Sequence, residues 1–415
     1  MSQLKATCVR AAELGPAFDQ KDRWLSALAQ PSPGNSTIVV EPPTDVHVNS
    51  LPLFQAKIEA EYPDIFGWFF KSQVYTTDGF RVSYLTRPTI CGPAVLVLED
   101  HLDGPRCIGD SLGDSVHVDV DVDNAFQKLK KTSKSDELMF EFTETDVLDD
   151  EYLNVSLSRI NNFGHWHVHN VSFLLWLSNN ITEILSAVGA KGVRVLCPHG
   201  LDHMGKGMKQ HAVAELAKVC PVVVLDPMQL QRPTRLNSVL VCSTANLDNG
   251  PMYPATFASL FPQLRVERDE TAPALIYCNR SHAGRRGIDN EPAIEAALAK
   301  IGFAVMPTGA MTYDEQRRGF SNARLIISSH GSSLMDMIFS HNKPTVIELT
   351  HRFYGPHQYT SFRNMTALMG GRYGALISPV PEEYKGADYN GTYFRVDIDW
   401  LVSAAQSLKA ELGVP

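Results

Sequence analysis

The spacing of the hydrophobic positions changes along the chain. Residues 1–35 have helical spacing and close in a proline-rich run. Residues 36–150 alternate with a period of two between many turn residues, which predicts a β-rich portion. Within it, residues 75–88 predict two strands around an Asp-Gly turn. The strict alternation of residues 116–123 places three aspartates on one face, which we interpret as a solvated strand face because the glycine and the glutamate of a calcium-binding loop are absent.

From residue 151 onward, apolar runs with helical spacing alternate with short apolar strands, and the series restarts after the turn-rich stretch 244–256. This βα rhythm is typical of parallel sheets. Two consecutive series predict an α/β protein with two Rossmann-like, doubly wound domains facing across a cleft, where such folds bind ligands. The expected parts are an N-terminal domain of residues 1–245 (β-rich over 36–150, βα units over 151–245), a C-terminal domain of residues 246–390, and a terminal segment 391–415 whose helix packs back on the N-terminal domain.

Composition and charge exclude several classes of protein. Hydrophobic residues make up 44% of the 415 residues, too many for a chain that is mainly disordered. The net charge of -9 is opposite in sign to that of proteins that coat nucleic acid, so no nucleic-acid partner is expected. The seven cysteines form no CxxC pair, which argues against a disulfide framework or a zinc ribbon and favours free thiols in a reducing compartment.

The first residues do not have the pattern of a secretory signal, and the longest apolar runs are far shorter than the roughly 20 residues of a membrane helix. We therefore expect a cytoplasmic protein without a membrane span. Peripheral contact with a membrane is compatible with this expectation.

Positive charge is concentrated in the second half of the chain. Residues 271–374 contain nine arginines, two lysines and seven acidic residues, a balance of +4, so the rest of the chain carries -13. Arg280, Arg285 and Arg286 lie in one loop at the carboxyl end of a predicted strand. Because arginine can bind phosphate through two parallel hydrogen bonds, this loop is a candidate phosphate site, although a solvated basic loop would give the same pattern.

A second candidate phosphate site is the run His330-Gly331-Ser332-Ser333 between a predicted strand and a predicted helix. Gly331 permits a tight turn, and the serines can cap the helix, whose N-terminal N–H groups would then face an anion such as a diphosphate. Glu348 follows at the end of the next predicted strand. A carboxylate there could accept hydrogen bonds from a ribose, or it could be a capping or surface acid.

Residues 276–349 resemble the signature region of glycosyltransferase family 61. The elements that carry the resemblance are Tyr277–Arg280, the run from Arg286 to Glu291, Tyr313–Gln316, His330–Ser333 and Val346–Leu349. Upstream, residues 161–170 contain Asn-Phe-Gly-His-Trp, which is similar to the family's Asn-Tyr-Tyr-His-Trp element. The chain departs from the family at two points. Its His-Gly-Ala-Gly element reads His-Gly-Ser-Ser here, and His169 stands where the family often has an acid.

The resemblance implies an inverting glycosyltransferase of GT-B architecture that acts in surface polysaccharide biosynthesis. Its co-substrate would be a nucleotide sugar, in the first place a UDP-sugar, bound mainly by the C-terminal domain, with a glycan or another hydroxyl acceptor on the N-terminal domain. Neither a metal nor another cofactor is expected, because arginines and a helix terminus can hold the leaving diphosphate. The expected donor-binding residues are Arg280, Arg285, Arg286, His330, Gly331, Ser332, Ser333 and Glu348.

An inverting transfer needs a general base for the acceptor hydroxyl. Six of the 14 histidines lie between residues 165 and 211, and we expect the base to be His165 or His169, which a helix would place on one face. Either can equally be a packed or capping histidine. The cluster leaves two other functions open. One is a metal-dependent hydrolase built on the run His-Trp-His-Val-His, and the other is a nucleotide-sugar-binding protein without catalysis.

Overall fold

The described residues form a mixed α/β structure whose strands make four sheets. The computed structural model describes residues 2–9, 14–30, 33–64, 74–77, 79–90, 96–98, 106–108, 130–131, 137–142, 145–148, 151–157, 166–198, 200–201, 207–230, 232–244, 253–279, 287–351, 356–382 and 392–415.

The strands in chain order are β1 (Ser2–Val9), β2 (Ala17–Phe18), β3 (Ser36–Glu41), β4 (Asp45–His47), β5 (Val74–Thr76), β6 (Phe80–Thr86), β7 (Thr89–Ile90), β8 (Leu96–Leu98), β9 (Arg106–Ile108), β10 (Lys130–Lys131), β11 (Glu137–Phe142), β12 (Asp146–Leu148), β13 (Tyr152–Ser156), β14 (Gly192–Leu196), β15 (Val222–Leu225), β16 (Thr234–Leu236), β17 (Ser238–Thr244), β18 (Leu275–Cys278), β19 (Ala304–Met306), β20 (Leu325–Ser329), β21 (Thr345–His351) and β22 (Arg372–Ser378).

The α-helices are α1 (Lys21–Leu28), α2 (Pro52–Glu61), α3 (Ser172–Val188), α4 (Met208–Ala217), α5 (Thr256–Leu260), α6 (Glu291–Lys300), α7 (Tyr313–Gly319), α8 (Pro356–Leu368) and α9 (Ile398–Glu411). A π-helix, Trp166–Val171, runs directly into α3, and the 3-10 helices are Pro227–Gln229, Phe261–Leu264 and Ser332–Phe339. None of the helices in the described ranges is both long enough and apolar enough to cross a lipid bilayer.

The chain divides into two compact units. The first comprises Met1–Pro42 and Gly79–Thr244, and the second comprises Pro43–Asp78 and Ala245–Pro415. The division after Thr244 lies next to the boundary that the sequence predicts at residue 245. The assignment of residues 43–78 differs from the prediction, because this segment joins the second unit.

Backbone pairing explains why residues 43–78 join the second unit. The amide of Leu51 donates to the carbonyl oxygen of Tyr373 over 2.8 Å, and the amide of Tyr373 donates to Asn49 over 2.9 Å. These bonds attach the segment to the edge strand β22. Helix α2 then packs on β22 with Phe54 fully buried. A sequence pattern reports which positions are apolar but not which distant strand covers them, so this partner was not predictable.

The first unit contains two sheets that mix parallel and antiparallel pairs. Their strand orders are β10-β11-β1-β9-β8-β7-β16-β12 and β15-β14-β13-β17-β6-β3-β2. In the second of these sheets β13 lies parallel to β14 and β17, whereas β6 lies antiparallel to β17 and β3. The parallel βα part agrees with the predicted rhythm of residues 151–245, but the mixed sheets are not those of a purely parallel, doubly wound domain.

The second unit has a five-stranded sheet of order β19-β18-β20-β21-β22, in which all neighbouring strands are parallel. This is a strand order of doubly wound α/β folds. Its core includes Tyr277, Ile294, Ile327 and Ile347, and the terminal helix α9 adds Leu401 to it. The prediction that the terminal helix packs on the N-terminal domain is therefore wrong, because its apolar face is buried against α6 and the core of the second unit.

Two local predictions also change. Residues 2–9 form a strand rather than part of a helical lead-in, because β1 pairs with β11 and β9. The two strands on either side of the Asp-Gly turn do form, but β5 pairs with β4 whereas β6 pairs with β3 and β17, so they are not a hairpin. Residues 116–123 and most of the turn-rich stretch 244–256 lie outside the described residues.

Candidate functional site

The parallel sheet of the second unit changes its winding direction between β18 and β20. Cys278 at the end of β18 is aligned with Ser328 of β20, and the Ser328 hydroxyl donates to the Cys278 carbonyl oxygen over 3.4 Å. The two strands therefore end side by side. In doubly wound sheets a ligand binds in the crevice outside the carboxyl ends of such a pair of strands, so this edge is the candidate site.

The loop that contains Arg280, Arg285 and Arg286, called the arginine loop below, begins at this edge directly after β18. Arg280, Arg285 and Arg286 lie outside the described residues, so their contacts stay predictions. The residue before the loop is described, and the Asn279 amide nitrogen Nδ2 donates to Oε1 of Glu295 over 2.8 Å. This bond to helix α6 fixes the starting point of the loop beside the end of β20.

His330 follows β20 at the same edge and has only 8% of its surface exposed. Its ring nitrogen Nδ1 contacts Oε1 of Glu348, a fully buried carboxylate of β21. The other carboxylate oxygen, Oε2, accepts a hydrogen bond of 2.6 Å from the hydroxyl of Tyr373 in β22. Phe362 of α8 packs edge-on against the imidazole with the ring centroids 5.1 Å apart. A buried chain of three polar groups, Tyr373–Glu348–His330, thus ends at the carboxyl edge of the sheet.

The position of Glu348 does not support the predicted contact with a ribose. Its side chain has no exposed surface and both of its oxygens have protein partners. A ribose hydroxyl cannot reach this carboxylate while the strands stay paired. A charged residue inside the apolar strand β21 was the available signal, because a buried carboxylate is normally paired. Tyr373 was missed because no motif marks it.

The residues after His330 also differ from the prediction. Ser332–Phe339 is a 3-10 helix rather than an α-helix, Gly331 has an extended backbone, and no side chain caps the helix N-terminus. The hydroxyl of Ser333 instead shares a hydrogen bond of 2.7 Å with the hydroxyl of Thr308, which follows β19. The serines therefore do not cap this helix. Ser333 ties it to the neighbouring strand end.

A second buried carboxylate, Asp336, lies within the same 3-10 helix. Burial, and after it the charge of Asp336, raises the pKa of the Cys278 thiol well above its ordinary value. Burial also raises the pKa of Tyr313, with Asp336 contributing in the same direction. The Cys278 thiol is consequently protonated at neutral pH, and because the thiolate is the nucleophilic form, Cys278 is not suited to nucleophilic catalysis.

The histidine cluster belongs to the first unit. Outside the described residues lie His165, His199 and His203. His169 belongs to the π-helix Trp166–Val171, whose hydrogen-bond spacing differs from that of an α-helix. The predicted common face of His165 and His169 therefore stays a prediction. His167 is fully buried. Within the parts of the chain that the structure describes, no three His, Cys, Asp or Glu side chains group as metal ligands.

The carboxyl end of β14 in the first unit has a buried lysine beside it. The ammonium of Lys209 donates to the Gly200 carbonyl oxygen over 3.3 Å and lies 5.2 Å from the centroid of the Trp166 ring. Burial lowers the pKa of Lys209. Burial also raises the pKa of the neighbouring Cys197 to about 11. This lysine links the loop after β14 to the start of the π-helix.

One family model matches a stretch of the chain that contains both the histidine cluster and the edge of the parallel sheet. The family model Glycosyltransferase 61 matches residues 163–347. The match begins at the histidine cluster, includes the arginine loop and His330, and ends one residue before Glu348. No curated protein matches the chain. The resemblance seen at 276–349 and at 161–170 is thereby confirmed. Residues 163–347 therefore form a glycosyltransferase family 61 domain.

Proposed function

We propose that the protein is a glycosyltransferase that moves a sugar from a nucleotide sugar, most simply a UDP-sugar, to a hydroxyl group of a glycan or another acceptor. The observation that carries the proposal is the adjacency of β18 and β20 at their carboxyl ends. The arginine loop follows one of these strands and His330 follows the other. Two groups of candidate phosphate-binding residues that are far apart in sequence thus begin at one edge of the sheet.

The chemistry of the transfer explains why such groups are needed. When the glycosidic bond of the donor breaks, negative charge develops on the leaving diphosphate, and preorganised donors stabilise that charge. Arg280, Arg285 and Arg286 would supply charge-assisted hydrogen bonds. We propose that these residues serve the role that a metal ion has in other transferases, and that the sugar is transferred with inversion. The base would then be His165 or His169.

The proposal includes the arrangement and the setting that the family implies. The two units would form a GT-B enzyme, with the donor on the second unit and the acceptor on the first. The setting would be surface polysaccharide biosynthesis in the cytoplasm. Cys197, Cys220 and Cys278 are free thiols, which is the usual state in a reducing compartment. Fractionation of cells that express the tagged chain tests the location.

Calorimetry with UDP tests the donor site. Arg280→Ala should weaken UDP binding about tenfold or more, because a hydrogen bond to a charged group contributes about 1.5–3 kcal/mol. Arg324→Ala is the matched control, since Arg324 stands directly before β20 and so at the opposite edge of the same sheet. Equal UDP affinity of the wild type and Arg280→Ala would contradict the assignment of the loop.

A turnover screen tests the reaction class. The purified protein is incubated with a panel of nucleotide sugars, with and without EDTA, and the release of nucleoside diphosphate is measured. We expect release from one donor that EDTA does not abolish. Release that disappears with EDTA would contradict metal independence and favour the hydrolase alternative. Binding without any release, in the presence of an acceptor panel, would favour a binding protein.

A further inference from the structure

We propose that Glu348 and Tyr373 are positioning residues that hold His330 as an imidazolium whose Nε2–H group donates to the diphosphate of the donor. This inference rests on the proposed function, because it assigns the residues that orient one donor-binding group. Neither Glu348 nor Tyr373 would touch the donor. Both would act through His330.

Strand geometry brings the three side chains together. In the parallel sheet Ser328 is aligned with Glu348, and Val346 is aligned with Tyr373. Side chains two residues apart on a strand lie on the same face. His330 therefore lies on the face of Ser328, and Glu348 lies on the face of Val346, so the three groups are diagonal neighbours across β20, β21 and β22. Their contacts follow from this register rather than from a loop conformation.

The contact between Nδ1 of His330 and Glu348 determines that Nδ1 of the imidazole carries a hydrogen. A carboxylate only accepts hydrogen bonds, so Nδ1 must carry the hydrogen. If the ring were neutral, Nε2 would hold a lone pair and would repel a phosphate oxygen. The imidazolium instead donates from both nitrogens, to Glu348 and to the diphosphate. Donor binding should therefore select the protonated ring, whose charge the buried carboxylate balances.

The guanidinium of Arg363 lies close enough to Tyr373 to interact with it electrostatically. On α8, Phe362 meets the imidazole, and its neighbour Arg363 is 4% exposed. Burial lowers the pKa of Arg363, while Tyr373 and Tyr75 act in the opposite direction. A third tyrosine near Tyr373 and Tyr75 is Tyr253. Burial raises the pKa of its hydroxyl, and Tyr75 and Glu348 contribute in the same direction. Among the described residues, Glu348 is the acidic group in contact with the ring, so it is placed to balance the charge of the imidazolium.

UDP binding measured by calorimetry between pH 6 and pH 9 tests the inference. In the wild type, the affinity should fall as the pH rises, because the ring loses its proton. Proton uptake on binding should appear as a difference in heat between two buffers of different ionisation enthalpy. Glu348→Gln keeps the size of the side chain but removes its charge. It should lower the affinity at pH 7.5 about tenfold.

Two further variants separate positioning from a structural role. Tyr373→Phe removes one neutral hydrogen bond and should weaken UDP binding about threefold, with the direction of the pH dependence retained. Tyr277→Phe is the matched control, since the hydroxyl of Tyr277 also donates to a buried carboxylate, Oε1 of Glu291, over 3.1 Å in the same unit. It should leave the pH dependence unchanged. Uridine, which lacks phosphates, should bind the wild type and Glu348→Gln equally.

The outcomes are distinguishable. If the wild type binds UDP but Glu348→Gln and Tyr373→Phe retain its affinity and its pH dependence, the positioning role is wrong while the donor site stands. The same conclusion follows if His330→Asn keeps the wild-type pH dependence. If the wild type binds no UDP or any other nucleoside diphosphate, the proposed function fails and this inference fails with it. Should Glu348→Gln not fold, as judged by circular dichroism, Tyr373→Phe and His330→Asn still decide the question.

Discussion

The attachment of residues 43–78 to the second unit can be tested by removing one ring. Phe54 of α2 is 0% exposed and packs edge-on against Trp400 of α9, with the ring centroids 5.0 Å apart. It also belongs to the core cluster that includes Leu51 and Leu376. We therefore expect Phe54→Ala to destabilise the second unit although residue 54 lies near the start of the chain.

The magnitude follows from the burial of the ring. Truncating a fully buried phenylalanine costs about 3–5 kcal/mol. Of this, the edge-on aromatic contact accounts for about 0.5–1.5 kcal/mol. Whole domains are stable by only about 5–15 kcal/mol. Leu53→Ala is the control on the same helix, since Leu53 is 50% exposed, and its cost should stay within about 0.5 kcal/mol.

Hydrogen exchange followed by mass spectrometry is the suitable assay, because a protein of two units need not unfold in one step. Phe54→Ala should reduce the protection of amides in β21 and β22 about 100-fold, which corresponds to the lower end of the expected cost. Gly374→Ala should act on the same amides from the other side, because its Cβ would lie 2.7 Å from Cγ of Phe54. Unchanged protection of β22, or a loss confined to β13–β15, would refute the assignment of the segment.

Three further predictions concern the rest of the chain. Thr312→Ala removes the capping box that Thr312 forms with Glu315; it should destabilise α7 by about 0.5–2 kcal/mol, visible as faster amide exchange in that helix only. Burial raises the pKa of Cys197 from 9.0 to about 11, so the folded state holds the thiol proton more tightly than the unfolded state. The stability that this proton contributes is complete below about pH 9 and is lost towards about pH 11. In urea unfolding, Cys197→Ala should therefore lose less stability over this pH range than the wild type. His165→Ala or His169→Ala should lower turnover by about 10²–10⁴ at unchanged UDP affinity; near-normal turnover of both variants would place the base elsewhere.

The sequence predicts the order of elements in the second unit well because the signals there are local. The strands β18, β20 and β21 are short apolar runs, and α6 and α7 have helical spacing between them. Where the partner of a segment is distant in the chain, the prediction fails. Residues 2–9 were assigned to a helix because their pairing with β11 cannot be read from eight residues. The terminal helix α9 has the predicted apolar face, but the sequence does not say which surface covers it.

The same limit applies to the candidate site. His330 is at the strand end that the sequence predicts, because a strand followed by His-Gly-Ser-Ser is a local pattern. The role of Glu348 depends on which side chains meet it from β20 and β22, and those partners are set by the register of three strands. Tyr373 is separated from Glu348 by 25 positions. Only the folded sheet makes its hydroxyl a partner of that carboxylate.

The discontinuous make-up of the second unit sets an order of events during synthesis. Residues 43–78 leave the ribosome early, yet their partners are made near the end of translation, and the bond from the Tyr75 hydroxyl to the Asn364 carbonyl spans 289 positions. Both pieces of the first unit are complete once residue 244 has emerged. Domains generally fold as units during synthesis. The first unit should therefore fold while residues 43–78 remain an unfolded insertion between its two pieces. A recombinant fragment that begins at residue 245 would lack α2 and expose the core positions that Phe54 covers, whereas a fragment that ends at residue 244 would carry an unfolded insertion.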